Sequence, residues 1–151
     1  MIVVGIGSNV GDRLATMRSA VVRLPNVTRL SRVYETDPVG GVVQPPFLNA
    51  AALLDWGDDP VALLARLQTI EAELGRDRTR EVRWGPRTLD LDILWIDDGT
   101  RVDHPRLVVP HPRLSERAFA VLPLLDVAPT APFAVPDAAG VRVTDLTLTE
   151  S

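Results

Sequence analysis

Asp90 and Asp92 stand two positions apart, just after a run of basic residues that holds Arg76, Arg78, Arg80, Arg83 and Arg87. Residues 83–96 read RWGPRTLDLDILWI. Leu89, Leu91 and Ile93 alternate with the two aspartates. Successive side chains of a strand point to opposite faces, so the apolar set faces a core and both carboxylates share the other face. Their Cα atoms then lie roughly 6–7 Å apart, from a rise of about 3.3 Å per residue. That spacing suits two divalent cations held about 3.5–4 Å apart over a polyphosphate. Arginine forks bind phosphate oxygens. A charge run is ordinarily a solvated face, but this one abuts the acid pair, which makes it a candidate anion clamp. Acids for metal beside arginines for phosphate point to phosphoryl or nucleotidyl-type transfer.

The composition narrows how such chemistry is done. There is no cysteine, which excludes disulfides, thiolate metal sites and a cysteine nucleophile. There is no lysine; all 16 basic residues are arginine. A Walker-type lysine and a Schiff-base lysine are excluded, and phosphate must be held by arginine, backbone amides or metal. The net charge of -4 gives nucleic acid no general attraction. A chain of 151 residues suits a single domain, 1–151, with a core of its own. Residues 1–4 are apolar, but no basic segment precedes them and Gly5, Gly7, Ser8 and Asn9 end the run, so they predict a first strand rather than a leader. No apolar run approaches the ~20 residues of a membrane span. A soluble, cytoplasmic protein without membrane contact is expected.

The elements that position the acid pair follow in order. Ile2–Ile6 predicts a buried strand. The turn Gly7-Ser8-Asn9 reads either as an anion-binding turn or as a plain tight turn. Asp12 caps a helix ending before Pro25. Residues 27–36 predict a second strand. Asp37–Pro46 is a loop dense in proline and glycine, either a closing loop over a flat ligand or a long hairpin connection. Phe47–Trp56 predicts a third strand, in which the amide of Asn49 must find a partner: a backbone group, or the edge of a heteroaromatic ligand. Asp59-Pro60 opens a helix through Leu63, Leu67, Ile70 and Leu74 that ends at Gly75. Strand 88–96 follows, and Asp98-Gly99 predicts a hairpin whose return strand, residues 101–103, adds to the sheet. Leu114–Leu122 predicts a helix broken at Pro123, and the tail from Ala131 shows little chemistry. The order β, α, β, β, α, β describes an α+β fold: a ferredoxin-like antiparallel sheet, with the last helix on the opposite face to give three layers, α/β/α.

The chain resembles the 6-hydroxymethyl-7,8-dihydropterin pyrophosphokinase family of folate biosynthesis. The resemblance rests on Gly7-Ser8-Asn9, residues 34–40, Phe47-Leu48-Asn49-Ala50, Gly75-Arg76, Pro110-His111 and Arg117-Ala118-Phe119, and above all on residues 83–92. It implies transfer of the β,γ-pyrophosphoryl group of ATP to the pterin hydroxymethyl oxygen, with release of AMP. It implies that Asp90 and Asp92 ligate two Mg²⁺ ions and, with Arg76 and Arg87, are catalytic. Gln68, Glu71, Arg78, Arg83, Trp84, Arg87, Ile93, Arg106, His111 and Arg117 match nucleotide positions. Thr36, Asp37, Val39, Phe47, Asn49, Trp84, Asp90 and Phe119 match the pterin side, where Phe119 with Phe47 or Trp84 would sandwich the ring and Asn49 would read its edge. ATP is expected to bind first, with segments 76–87 and 37–46 closing over the pterin. The resemblance adds small-molecule partners only, and a monomer is expected.

Three positions depart from the family pattern. The segment between Gly75 and Trp84 is about one residue longer, which leaves open the phosphate roles of Arg76, Arg78 and Arg80. Phe47 stands where tyrosine is common, and Pro112 where an aromatic residue occurs. Two other readings compete. One is a ferredoxin-like nucleic-acid module, which the acidic charge and an aromatic content of 5% oppose. The other is a silent relative that only binds nucleotide, which the intact acid pair opposes.

Overall fold

The structure is a computed structural model and describes residues 1–9, 11–38, 45–74 and 89–149. Its centre is the antiparallel pairing of β1 (Ile2–Ser8) with β4 (Phe47–Leu54), two strands with almost every residue buried. Runs of this kind are apolar on both faces because both faces are covered. β5 (Asp90–Ile96) pairs with the other side of β1. β2 (Val27–Leu30) and β3 (Tyr34–Thr36) both pair with β4. The path across the sheet is β5-β1-β4-β3-β8, where β8 is Val141–Val143. Its first four places are those of a ferredoxin-like βαββαβ unit.

α1 (Arg13–Arg23) and α2 (Pro60–Glu73) cover one face. Both start as their caps predict: Asp12 accepts from the Ala15 N–H at 3.1 Å and Asp59 from the Val61 N–H at 2.9 Å. Leu63, Leu67 and Ile70 of α2 bury one stripe against Ile2, Val4, Ile6, Leu91 and Ile93, each such side chain contributing roughly 1.5–3 kcal/mol. α3 (Ala118–Val127) covers the opposite face, over Val3, Ala51, Leu53, Leu94 and Trp95. The three-layer α+β architecture is as expected.

Three local expectations differ. Residues 27–36 form two strands because Ser31 interrupts the ladder: its Oγ accepts the Ala51 N–H at 2.7 Å. The chain after Asp98-Gly99 does not return along β5. Instead β6 (Val102–His104) pairs with β7 (Leu107–Val109) as a separate ribbon. The outer edge of β5 is already occupied, since the Leu91 N–H donates to Glu71 Oε2 at 3.0 Å and the Leu94 carbonyl accepts from the His111 N–H at 3.1 Å. Pro123 does not break the last helix. A 3₁₀ turn, Leu114–Glu116, comes first, and α3 then runs through Pro123. The apolar contacts of Val121, Leu124 and Val127 with the sheet offset a lost helical hydrogen bond that costs about 3 kcal/mol. The tail adds to the fold: β8 pairs with β3, and Phe133 stands edge-on to buried Trp95 with ring centroids 5.1 Å apart.

Candidate active site

β5 does what its alternation predicts. Leu89, Leu91 and Ile93 are buried toward α1 and α2, while Asp90 and Asp92 are half-buried on the other face. There they line a cavity of about 540 Å³, within the range of small-molecule sites. Its floor is β1. Gly7 pairs with Asp90 on one side and with Asn49 on the other, and Gly5 pairs with Asp92. Adjacent strands lie about 4.8 Å apart, so Asp90 and Asn49 flank a side-chain-free strip of β1. A Cβ on Gly7 would stand 3.1 Å from Asn49 Oδ1 and 3.9 Å from the Asp90 Cβ. Glycine therefore creates the space between the carboxylate and the amide.

The walls come from three places. The end of β3 and the start of β4 supply Thr36, Asp37, Pro38 and Phe47; the segment after β7 supplies His111, Arg113 and Glu116; the start of α3 supplies Arg117 and Phe119. Asn49 is buried and its Nδ2 donates to Thr36 Oγ1 at 2.8 Å. Its partner is thus a side chain rather than the backbone group that sequence reasoning offered, and the contact orients the amide toward the cavity. The Arg117 guanidinium lies over the Phe119 ring, 5.6 Å from its centroid, a cation–π arrangement that restrains both.

His111 is held at the edge of β5 by its N–H bond to the Leu94 carbonyl. That strand carries a bulge: Val3 pairs with Trp95 and Val4 with Ile93, leaving Leu94 as the extra residue. His111 Nδ1 accepts from the Arg113 N–H at 3.3 Å, which places the ring proton of the neutral imidazole on Nε2. Burial lowers the His111 pKa, Arg117 and Arg113 lower it further, and Asp90 opposes them. The imidazole is a neutral N–H donor, a suitable partner for an anionic oxygen.

The residue set fits Mg²⁺. That ion takes one or two carboxylates and completes its octahedron with water and substrate phosphate.

Of the residues singled out from the sequence, Thr36, Asp37, Phe47, Asn49, Asp90, Asp92, His111, Arg117 and Phe119 converge on this cavity. Four do not line it. Gln68 is exposed on α2, Glu71 is buried against the β5 edge, Ile93 is in the α1/α2 core, and Arg106 is exposed between β6 and β7. Val39, Arg76, Arg78, Arg80, Arg83, Trp84 and Arg87 lie outside the described residues. Sequence reasoning missed Gly5, Arg113 and Glu116 as lining residues. The signal for the first was present: Gly5 and Gly7, two apart on a strand, share a face.

A family model described as 7,8-dihydro-6-hydroxymethylpterin-pyrophosphokinase (HPPK) matches residues 3–129. The chain belongs to this family. Among relatives of this pyrophosphokinase, the 2-amino-4-hydroxy-6-hydroxymethyldihydropteridine pyrophosphokinase of Bacillus subtilis is 46% identical over 149 residues, covering 93% of this chain and 87% of that one. The protein of the same name from Pseudomonas aeruginosa is 46% identical over 132 residues, covering 83% and 79%. The mitochondrial folate synthesis bifunctional protein of Pisum sativum is 42% identical, covering 86% of this chain but 25% of the plant protein. The fold also matches the crystal structure of wild-type Plasmodium falciparum HPPK-DHPS with pterin and p-hydroxybenzoate, with a TM-score of 0.62 at 16% identity. That match covers 90% of this chain and 41% of the Plasmodium chain, so the pyrophosphokinase spans about two fifths of that structure's length.

Proposed function

We propose that the cavity around Asp90 and Asp92 is where this chain performs its family's reaction. In that reaction the hydroxymethyl oxygen of 6-hydroxymethyl-7,8-dihydropterin attacks the β-phosphorus of ATP, giving the pterin diphosphate and AMP in folate biosynthesis. The observation that carries the assignment is the row Asp90–Gly7–Asn49 across three strands. It puts a carboxylate for metal and an amide for a heterocycle on either side of an open strip of backbone.

The pterin is assigned to the Asn49 side. Thr36 fixes the amide, which reads the donor and acceptor edge of the ring, and Phe47 and Phe119 offer aromatic faces to it. The missing tyrosine hydroxyl at Phe47 leaves stacking, not hydrogen bonding, as that residue's contribution. The triphosphate is assigned to the His111 and Arg117 side. There the Nε2–H donor and the guanidinium meet oxygens whose charge grows as the β–α bridge breaks. Asp90 and Asp92 are assigned two Mg²⁺ ions. When bound, these ions would neutralise the polyphosphate and bring the attacking oxygen and phosphorus together. Arg76, Arg78, Arg83, Arg87 and Trp84 are assigned to the phosphate clamp on the strength of the motif alone. Gln68, Glu71, Ile93 and Arg106, which do not line the cavity, are kept on the nucleotide side on the strength of the resemblance alone. Glu71 would act there by fixing Leu91, between the two acids.

No described helix is long and apolar enough to cross a membrane. The chain is assigned one domain, 1–151, working as a cytoplasmic monomer on soluble substrates. Phosphorus NMR of a mixture of the protein, MgATP and the dihydropterin tests the reaction. AMP and a pterin diphosphate in equal amounts are expected. ADP or inorganic phosphate as the main product would overturn the assignment.

A further inference from the structure

We propose that Arg142, in the C-terminal strand β8, is a positioning residue for the pterin side of the site, acting through Glu35 and Asp37; the proposal rests on the assignment of the pterin to Asn49. The chain enters and leaves segment 39–44 through two stems, residues 36–38 and 45–47, and these deliver Thr36, Asp37, Pro38 and Phe47 to the cavity.

Each stem is tied down, and one carboxylate joins the ties. Glu35 and Arg142 are directly opposite one another in the β3–β8 pair. Arg142 Nε donates to Glu35 Oε1 at 3.1 Å, Nη2 donates to the same oxygen, and Nη1 donates to Asp37 Oδ1 at 3.1 Å. One guanidinium thus spans the last strand residues and the first stem. The Asp37 N–H donates to the Gly140 carbonyl at 2.9 Å. Gly140 has φ of +81°, so the turn before β8 favours glycine, and a Cβ there would also crowd Asp37 Oδ2 at 3.3 Å. On the other side, Glu35 Oε2 accepts from Arg13 Nη1 at 3.3 Å, and the same nitrogen donates to the Pro46 carbonyl at 2.8 Å. Asn9 Nδ2 donates to the Pro45 carbonyl at 3.2 Å. The relay Arg142–Glu35–Arg13 therefore fixes both stems relative to each other.

The chemistry selects arginine. A fork with several donors reaches two carboxylates at once, whereas a lysine ammonium is a point charge on a flexible stem. Hydrogen bonding to Arg142, with a contribution from Arg13, holds the Glu35 carboxyl below its ordinary pKa, so the relay is charged at neutral pH. Loss of Arg142 leaves Asp37 and Glu35 without this partner and lets Thr36 and the amide it orients drift from the geometry that reads the ring. Small displacements of positioning groups are costly for the ligand they position.

Steady-state kinetics of Arg142→Ala, Arg142→Lys and Asn49→Ala test this, with KM measured separately for the pterin and for MgATP. Arg142→Ala is expected to raise the pterin KM about fivefold, the scale of a partly exposed ion-pair network, with the MgATP KM unchanged. Arg142→Lys is expected to raise the pterin KM by more than twofold but less than Arg142→Ala does, and serves as the measurement if Arg142→Ala does not fold. A pterin KM within twofold of wild type, or an equal rise in both KM values, overturns the positioning role, provided that Asn49→Ala raises the pterin KM. An unchanged pterin KM in Asn49→Ala overturns the pocket assignment itself, and this proposal with it.

Discussion

Gly7 and Asn49 face each other across β1 and β4, and a methyl group on Gly7 would stand 3.1 Å from Asn49 Oδ1. The same carbon would lie 3.9 Å from the Asp90 Cβ. The glycine is there for space, since its φ is not among the positive ones. Gly7→Ala should therefore fold, yet push the amide off its bond with Thr36. Leaving such a buried polar group mispaired costs about 1–3 kcal/mol, so affinity for the pterin should fall about fivefold or more. Titration of pterin fluorescence with the variant checks it; unchanged affinity would mean that Asn49 does not read the ligand.

Glu71 is 3% exposed, and its Oε2 accepts the N–H of Leu91, the residue between the two aspartates. Glu71→Ala removes the acceptor from a buried backbone donor, a loss of about 1–3 kcal/mol. For a chain of this size that lowers Tm by roughly 2–12 °C. Glu71→Gln keeps an acceptor oxygen and should lose less. Calorimetry of the pair distinguishes this from a role confined to nucleotide binding, which would leave Tm in place.

Tyr34 donates to Asp126 Oδ2 at 2.9 Å, and burial, then this bond, pushes its pKa up to about 12. In the unfolded chain a tyrosine ionises near pH 10, roughly its ordinary value. Between these values the unfolded chain holds fewer protons than the native one, so stability declines as pH rises. The contribution is complete below about pH 10 and is lost as pH passes the folded value. The chain has 1 tyrosine, no cysteine and no lysine, which leaves this window unusually clean. Melting temperatures should fall more steeply above about pH 10 in the wild type than in Tyr34→Phe; parallel curves would count against the buried hydroxyl.

The parts of the molecule that could be read from sequence are those that local physics decides. The alternation at 89–93 placed Asp90 and Asp92 on one face, and Asp12 and Asp59 marked the helix starts, because side-chain direction and capping act within a few residues. Pro123 misled because helix propensity is local while α3 is held by contacts with β4 and β1. The bulge at Leu94, which puts Leu94 and Trp95 on one face and presents a carbonyl to His111, leaves no periodic trace. β8 is three residues long and is a strand only because β3 lies beside it. Arg142 was invisible as a site-related residue for the same reason: its partners Glu35 and Asp37 are more than 100 positions away.

The central claim is that Asp90 and Asp92 hold the metal between the pterin and the triphosphate. The most direct measurement is the rate of AMP formation by Asp90→Asn and Asp92→Asn at saturating MgATP and dihydropterin, alongside pterin affinity. Both variants keep the shape of the cavity but weaken the ligands, so turnover should fall by about three orders of magnitude or more, a loss of roughly 4 kcal/mol from the transition state. In Asp92→Asn, which is not on the pterin side, pterin affinity should stay within a few-fold of wild type. Turnover within about tenfold of wild type in both variants, a loss of under roughly 1.4 kcal/mol, would contradict the account.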